Sequence, residues 1–97
     1  MPISFASTLK EHNAVRNDSG FFDVSHMGRL YIEYKDIEKL NILICGDILK
    51  TKPSSALYTM ILDHNSGILD DIIIWKFDKH MVLICNASNT DKISSWF

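Results

Sequence analysis

Three apolar runs decide the fold: Leu57-Tyr58-Thr59-Met60-Ile61-Leu62, Ile68-Leu69-Asp70-Asp71-Ile72-Ile73-Ile74-Trp75-Lys76-Phe77 and Met81-Val82-Leu83-Ile84-Cys85. They follow one another at short spacing and read as strands. The first connector, Asp63-His64-Asn65-Ser66-Gly67, has the composition of a hairpin loop, and Asp78-Lys79-His80 is a tight turn. Three consecutive antiparallel strands are therefore predicted.

Upstream of them the period changes. Ile37, Leu40, Ile44 and Ile48 fit a helical stripe that begins at Asp36, with Asp36 and Glu38 in its favourable first turn. Lys52-Pro53-Ser54-Ser55 stops it. Before that helix, Leu30, Ile32 and Tyr34 alternate with Arg29, Tyr31 and Glu33, the pattern of a half-buried strand. Phe21 to Ser25 reads as a further strand. The first segment, Ser4 to Asn17, carries Leu9, His12 and Val15 at helical spacing and predicts a helix closed by Gly20 in the left-handed cap conformation. Downstream, Asn86 to Asn89 leads into a last helix, with Ser88 or Asn89 as N-cap and Asp91 in the first turn. The order helix, strand, strand, helix, three antiparallel strands, helix is an α+β pattern: a small antiparallel sheet with flanking helices.

Composition narrows the function. The chain has 97 residues, 46% of them hydrophobic and 23% charged, which excludes collagen-like, low-complexity and broadly disordered classes. Ten basic against twelve acidic residues give a net charge of −2, so no basic field is available for nucleic acid. No apolar run approaches the roughly 18 residues of a membrane span, so no membrane partner is expected. The start, Met1-Pro2-Ile3-Ser4-Phe5, lacks the marks of a signal peptide. Two cysteines, Cys45 and Cys85, make no disulfide framework, and a reduced intracellular compartment is the default.

The last helix begins only about two turns before Phe97. Ile93, Trp96 and Phe97 have no later residues to pack on. The chain is thus expected to be part of a longer protein. In isolation these side chains and the strand edges should be exposed and favour a homodimer.

Few residues offer chemistry. His12, His26, His64, His80 and the two cysteines show no metal-ligand spacing, so no metal is expected. The four glycines are scattered and make no phosphate loop. Ser25 and His26, adjacent on a strand, would face opposite ways and are not a nucleophile and its base. The informative feature is Asp70-Asp71 inside a run of isoleucines. A strand sends one of the two to solvent and the other inward. A carboxylate facing an apolar site needs partners, and such groups concentrate at functional sites. The plainer reading is that the pair ends a turn and caps neighbouring amides. Tyr58 and Trp75 add flat faces that suit a heteroaromatic ligand, although core packing is their commoner use. Phe22 to Gly28, polar residues and a glycine between apolar stretches, marks either a tight crossing or a place where a ligand nears the backbone, and otherwise an ordinary connection.

Several stretches together resemble a known family. Glu11-His12-Asn13-Ala14-Val15-Arg16-Asn17, Gly20-Phe21-Phe22-Asp23-Val24-Ser25-His26-Met27-Gly28, Ala56-Leu57-Tyr58-Thr59, Gly67-Ile68-Leu69-Asp70-Asp71 and Asn86-Ala87-Ser88-Asn89 stand in the order and spacing of the N-terminal portion of the glycine cleavage system T-protein, an aminomethyltransferase. The resemblance covers essentially the whole chain. It implies a tetrahydrofolate-dependent transfer, with tetrahydrofolate as co-substrate: an aminomethyl group comes from the lipoyl arm of the carrier H-protein, ammonia leaves, and methylene-tetrahydrofolate forms. It also implies a three-domain ring in which residues 1–27 belong to the first domain and residues 28–97 to most of a small α+β second domain, truncated at its C-terminus. The setting would be the bacterial cytoplasm or the mitochondrial matrix.

By the same resemblance Asp71 is the essential carboxylate, which orients the folate amine and stabilises positive charge developing there. Tyr58 and Asn86 line the folate site, Met27 lies on a loop that touches it, and Trp75 stands where the family usually carries a tyrosine. Other departures are Cys45-Gly46-Asp47 for Thr-Asn-Asp, Ser54-Ser55 for Gly-Lys, and Ser66-Gly67 for Gly-Gly. This chain alone is expected to be inactive. The alternatives are a folate-dependent demethylase of the same family, and an inactive remnant or small folate-binding or interaction module.

Overall fold

A computed structural model describes residues 3–97. The elements are α1 (Thr8–Asn17), β1 (Gly28–Glu33), α2 (Ile37–Leu43), β2 (Ser55–Leu62), β3 (Ile68–Lys76), β4 (His80–Cys85) and α3 (Thr90–Trp96), with short 3-10 turns at Tyr34–Asp36 and Ala87–Asn89. The strands form one antiparallel sheet in the order β1-β4-β3-β2.

Both predicted hairpins form, and their loops show why. Asp63 organises the first: its carboxylate accepts the amides of Asn65 and Gly67, both at 2.8 Å, while its own amide donates to the Gly67 carbonyl at 2.8 Å. The second closes with the Phe77 amide donating to the His80 carbonyl at 2.9 Å.

The alternation of β1 and β3 sorts residues onto two faces. Ile32, Ile72, Ile74, Met81 and Leu83 point to one side and are buried against Ile37 and Leu40 of α2 and Ile93 of α3. Lys76 shares this face; its stem is buried and its ammonium donates to the carbonyls of Ile48 (2.9 Å) and Leu49 (3.3 Å), which pins the chain between α2 and β2.

The predicted stripe Ile37, Leu40, Ile44, Ile48 is buried throughout, but only its first half is helical. α2 ends at Leu43, and Ile44 turns extended (φ −119, ψ 156) to bridge Ile61 on the edge of β2. The Cys45 amide then donates to the Met60 carbonyl at 3.0 Å and the Gly46 amide to Thr59 Oγ1 at 2.9 Å. The sheet edge competes for these donors and wins over the helix.

Four other expectations are corrected. α1 starts at Thr8, because Ser7 Oγ accepts the Lys10 amide and the Glu11 carboxylate folds back onto the amides of Phe5 and Ala6, each at 2.7 Å. Gly20 is not left-handed; α1 closes with the Asp18 amide on the Ala14 carbonyl. Phe21 to Ser25 is no strand: it pairs with none of the four strands, and Phe21 is fully exposed. The last helix, finally, is well packed. Ile93 is fully buried, the Trp96 indole donates to the Leu62 carbonyl at 3.0 Å, and Lys39 Nζ sits 4.6 Å from the centre of the half-buried Phe97 ring. The exposure of Ile93, Trp96 and Phe97 is therefore overturned, because the sheet and α2 supply the partners.

Gly28 sits at a tight crossing. A Cβ there would strike the Thr90 hydroxyl and come within 2.6 Å of the Cys85 sulfur. No helix among the described residues is long and apolar enough to cross a membrane.

Candidate functional site

The sheet's second face carries no helix, and there the strands present Tyr31 from β1, Ile84 and Val82 from β4, Ile73 and Trp75 from β3, and Tyr58 from β2. Tyr58, Trp75 and Tyr31 are half or more exposed. Asp71 lies on the same face, two positions along β3 from Ile73.

Asp70 and Asp71 part as strand geometry requires: Asp70 is only 5% exposed, Asp71 is exposed. Two side chains from other parts of the chain converge on the Asp71 carboxylate. The Tyr58 hydroxyl of β2 donates to its Oδ2 at 3.1 Å, and the Asn86 side chain, just past β4, donates to its Oδ1 at 2.9 Å. Tyr58 faces Ile73 in the β2–β3 register, so its ring reaches diagonally to Asp71, as long side chains can across a ladder. Asp71 thus offers a fixed carboxylate to solvent from the open face.

The neighbouring Asp70 serves this cluster from below. Its Oδ2 accepts the Asn86 backbone amide at 2.9 Å, and its Oδ1 accepts the side-chain amides of Asn86 and Asn89, both at 2.8 Å. Burial works against the Asp70 charge, but the donors of Asn86 and Asn89 outweigh it and hold the carboxyl below the usual aspartate range. Hydrogen bonding to Asp71 pushes the Tyr58 phenol upward, so it stays a donor at neutral pH. Burial likewise raises the Cys85 thiol.

Of the residues singled out in the sequence, the structure joins Tyr58, Asp71 and Asn86 through hydrogen bonds. Trp75 shares their face, four residues along β3 from Asp71, half-exposed and tilted against Phe77 with ring centres 6.3 Å apart. Met27 and Asn86 are the next positions beyond the Gly28–Cys85 pair, and Met27 is half-buried without a hydrogen bond to the cluster. Of the two expected N-caps, Ser88 and Asn89, it is Asn89 that occupies the position, without capping, and it donates to Asp70 instead. The spacing of Asn86 and Asn89 carries the missed signal, since residues three apart in a 3-10 turn project the same way.

The arrangement suits a flat heteroaromatic group that carries N–H donors, with aromatic faces beside an anchored carboxylate. Among the described residues no group of three or more His, Cys, Asp or Glu is placed to hold a metal. A cavity of about 470 Å³ lies elsewhere, between α1 and Phe21-Phe22. Both of its carboxylates are engaged by backbone amides, Glu11 by those of Phe5 and Ala6 and Asp23 by that of Ser25.

Comparison with known proteins agrees with this fold. The family model of the GCVT N-terminal domain matches residues 1–97. The aminomethyltransferase of Thermoanaerobacter sp. (strain X514) is 40% identical over 99% of this chain, which corresponds to 27% of the relative. That of Francisella tularensis subsp. mediasiatica (strain FSC147) is 42% identical over the full chain and 28% of the relative. The crystal structure of glycine cleavage system aminomethyltransferase T from Bartonella henselae superposes on 76% of this chain and 21% of its own, with a TM-score of 0.70 and 30% identity. The chain thus spans little more than a quarter of the curated relatives it matches.

Proposed function

This chain belongs to the family of the GCVT N-terminal domain, and from that premise we propose that it forms part of the reduced-folate surface of a glycine cleavage aminomethyltransferase. The complete protein would take the aminomethyl group from the lipoyl arm of H-protein, release ammonia and leave the carbon on tetrahydrofolate. The single observation behind this reading is the exposed Asp71 carboxylate, held by Tyr58 and Asn86 on an open face that also carries Trp75. Asp71 orients the folate amine and favours positive charge at that nitrogen. Trp75 and Tyr58 give planar contact, an indole stacking where a phenol would also have offered a hydroxyl. Asn86 completes the polar wall, and Met27 borders it.

In this reading residues up to 27 belong to a first domain and 28–97 to a second, which agrees with a core drawn entirely from the latter. The working place is the bacterial cytoplasm or the mitochondrial matrix. Any self-association uses the outer edge of β1, because Trp96 and Ile93 are taken up internally.

The test is an amide NMR titration of the 97-residue chain with a reduced folate. Shifts confined to the neighbourhood of Tyr58, Asp71, Trp75 and Asn86, and lost in Asp71→Ala, are expected. Unmoved signals in a well-dispersed spectrum would overturn the folate surface. In parallel, the chain mixed with lipoylated H-protein and tetrahydrofolate should release no ammonia, and turnover abolished by Asp71→Ala would show that this portion suffices.

A further inference from the structure

We propose that Asp70 is a positioning residue for this site: from beneath the sheet it fixes the carboxamide of Asn86 so that one of its N–H bonds is delivered to Asp71. The proposal rests on the reading of the Asp71 cluster as the folate surface and adds a role for the other acid of the pair.

The geometry leaves the carboxamide one orientation. Asn86 Nδ2 has two hydrogens, and two carboxylate oxygens lie in range: Asp70 Oδ1 at 2.8 Å and Asp71 Oδ1 at 2.9 Å. A flipped amide would set its own oxygen against both, acceptor facing acceptor. The Asn86 backbone amide is held at the same time by Asp70 Oδ2, so backbone and side chain are gripped by one buried group. Asn89 Nδ2 closes the remaining side of Asp70 Oδ1, and Asp70 has no freedom to rotate without losing a donor. No buried side-chain nitrogen or oxygen among the described residues lacks a partner. The consequence reaches the open face: Asn86 cannot turn its oxygen toward Asp71, and its oxygen is directed away from both acids.

Asp70→Asn tests this with almost no change of shape. It replaces one carboxylate oxygen by an NH₂ group, which must meet the donors of Asn86 or Asn89 head-on. In a labelled sample of the 97-residue chain, both side-chain protons and the backbone amide of Asn86 should shift, and the Asp71 methylene signals should move with them. In Asp71→Ala only one Asn86 side-chain proton should shift strongly, its backbone amide staying in place. Asp70 acting merely as a backbone tether would move the Asn86 amide and leave the side-chain protons and Asp71 unmoved; that pattern overturns the proposal. Should Asp70→Asn lose its dispersed spectrum, Asn89→Ala removes a single donor from Asp70 Oδ1, and the Asn86 side-chain protons must then shift and exchange faster with water. Unchanged protons there would also overturn it.

A binding arm separates this proposal from the one beneath it. With 5-formyltetrahydrofolate as probe, Asp70→Asn should weaken affinity about tenfold, the effect of losing one well-placed hydrogen bond. If the unaltered chain binds no folate while the Asn86 and Asp71 signals still respond to Asp70→Asn, the folate reading falls and the positioning role stands. If the unaltered chain binds and Asp70→Asn binds equally well, the positioning role falls alone.

Discussion

Residues 3–27 and 28–97 use apolar side chains in opposite ways. The body, from β1 onward, buries Ile32, Ile61, Ile74, Met81, Leu83 and Ile93 almost completely, every one against residues of the same segment. The arm that precedes it exposes Ile3, Phe5, Leu9, Phe21 and Phe22, and α1 buries none of its residues. A helix of ten residues has little stability of its own, so α1 is held by local devices: the Ser7 cap, the Glu11 carboxylate on two backbone amides, and the gap it shares with Phe21 and Phe22. The lesson is that cooperative stability resides in the body. The arm leaves its apolar residues outside that core.

The comparison breaks most sharply if a core cut and an arm cut cost the same. Leu83→Ala should destabilise the chain by about 2–5 kcal/mol, because it leaves a cavity in a fully buried site. Leu9→Ala, at an exposed position, should stay within about 0.5 kcal/mol. Urea unfolding followed by tryptophan fluorescence measures both through Trp75 and Trp96, and equal costs would mean that arm and body unfold as one unit.

Acid distinguishes the two regions next. The Asp70 carboxyl is held low in the folded state, so the stability it contributes is present in full above about pH 5. That contribution shrinks as the pH drops below the ~3.9 of a free aspartate and is gone once the pH is below the folded value. Asp70→Asn should therefore flatten the acid limb of stability against pH. Glu11, also held low by the amides of Ala6 and Phe5 but only half-buried and on the arm, should leave that limb unchanged when replaced by Gln. Thermal unfolding midpoints between pH 3 and 7 decide it.

The smallest effect lies in two loops of the body. Ser54 and Ser66 have φ of 61° and 64°, the only positive values among the described non-glycine residues, and both stand where the family resemblance places glycine. The left-handed conformation costs a side-chain-bearing residue roughly 1–2 kcal/mol, and glycine returns part of that gain through the freedom of its unfolded chain. Ser54→Gly and Ser66→Gly should each stabilise by about 0.5 kcal/mol, seen as a higher urea midpoint with unchanged slope. Destabilisation by either would show that the serine side chain contributes more than its backbone costs.

Much of the body was legible along the chain. The three runs from Leu57 to Cys85 became β2, β3 and β4 within two residues of their expected ends, because short loops leave antiparallel neighbours as the simplest pairing. Alternation sent one of the two aspartates inward and the other outward, and the packed sheet makes Asp70 the buried one. Reading failed where neighbours in space, distant in sequence, competed for a backbone: Ile44 was taken from its helix by the edge of β2, and Phe21 to Ser25 found no strand to pair with. It failed again at the last helix, whose partners Leu62, Leu69 and Lys39 lie far upstream.

For the candidate site the division runs along the same line. The family resemblance marked Asp71, Tyr58, Asn86, Trp75 and Met27 as a set, while the residues by themselves singled out the Asp70-Asp71 pair and the flat faces of Tyr58 and Trp75. That Tyr58 and Asn86 grip the two oxygens of Asp71, that Asp70 and Asn89 lock Asn86 from the buried side, and that Met27 only borders the cluster came from the packed chain. Hydrogen bonds between β2, β3 and the turn after β4 depend on sheet order and twist, which no stretch of sequence holds by itself.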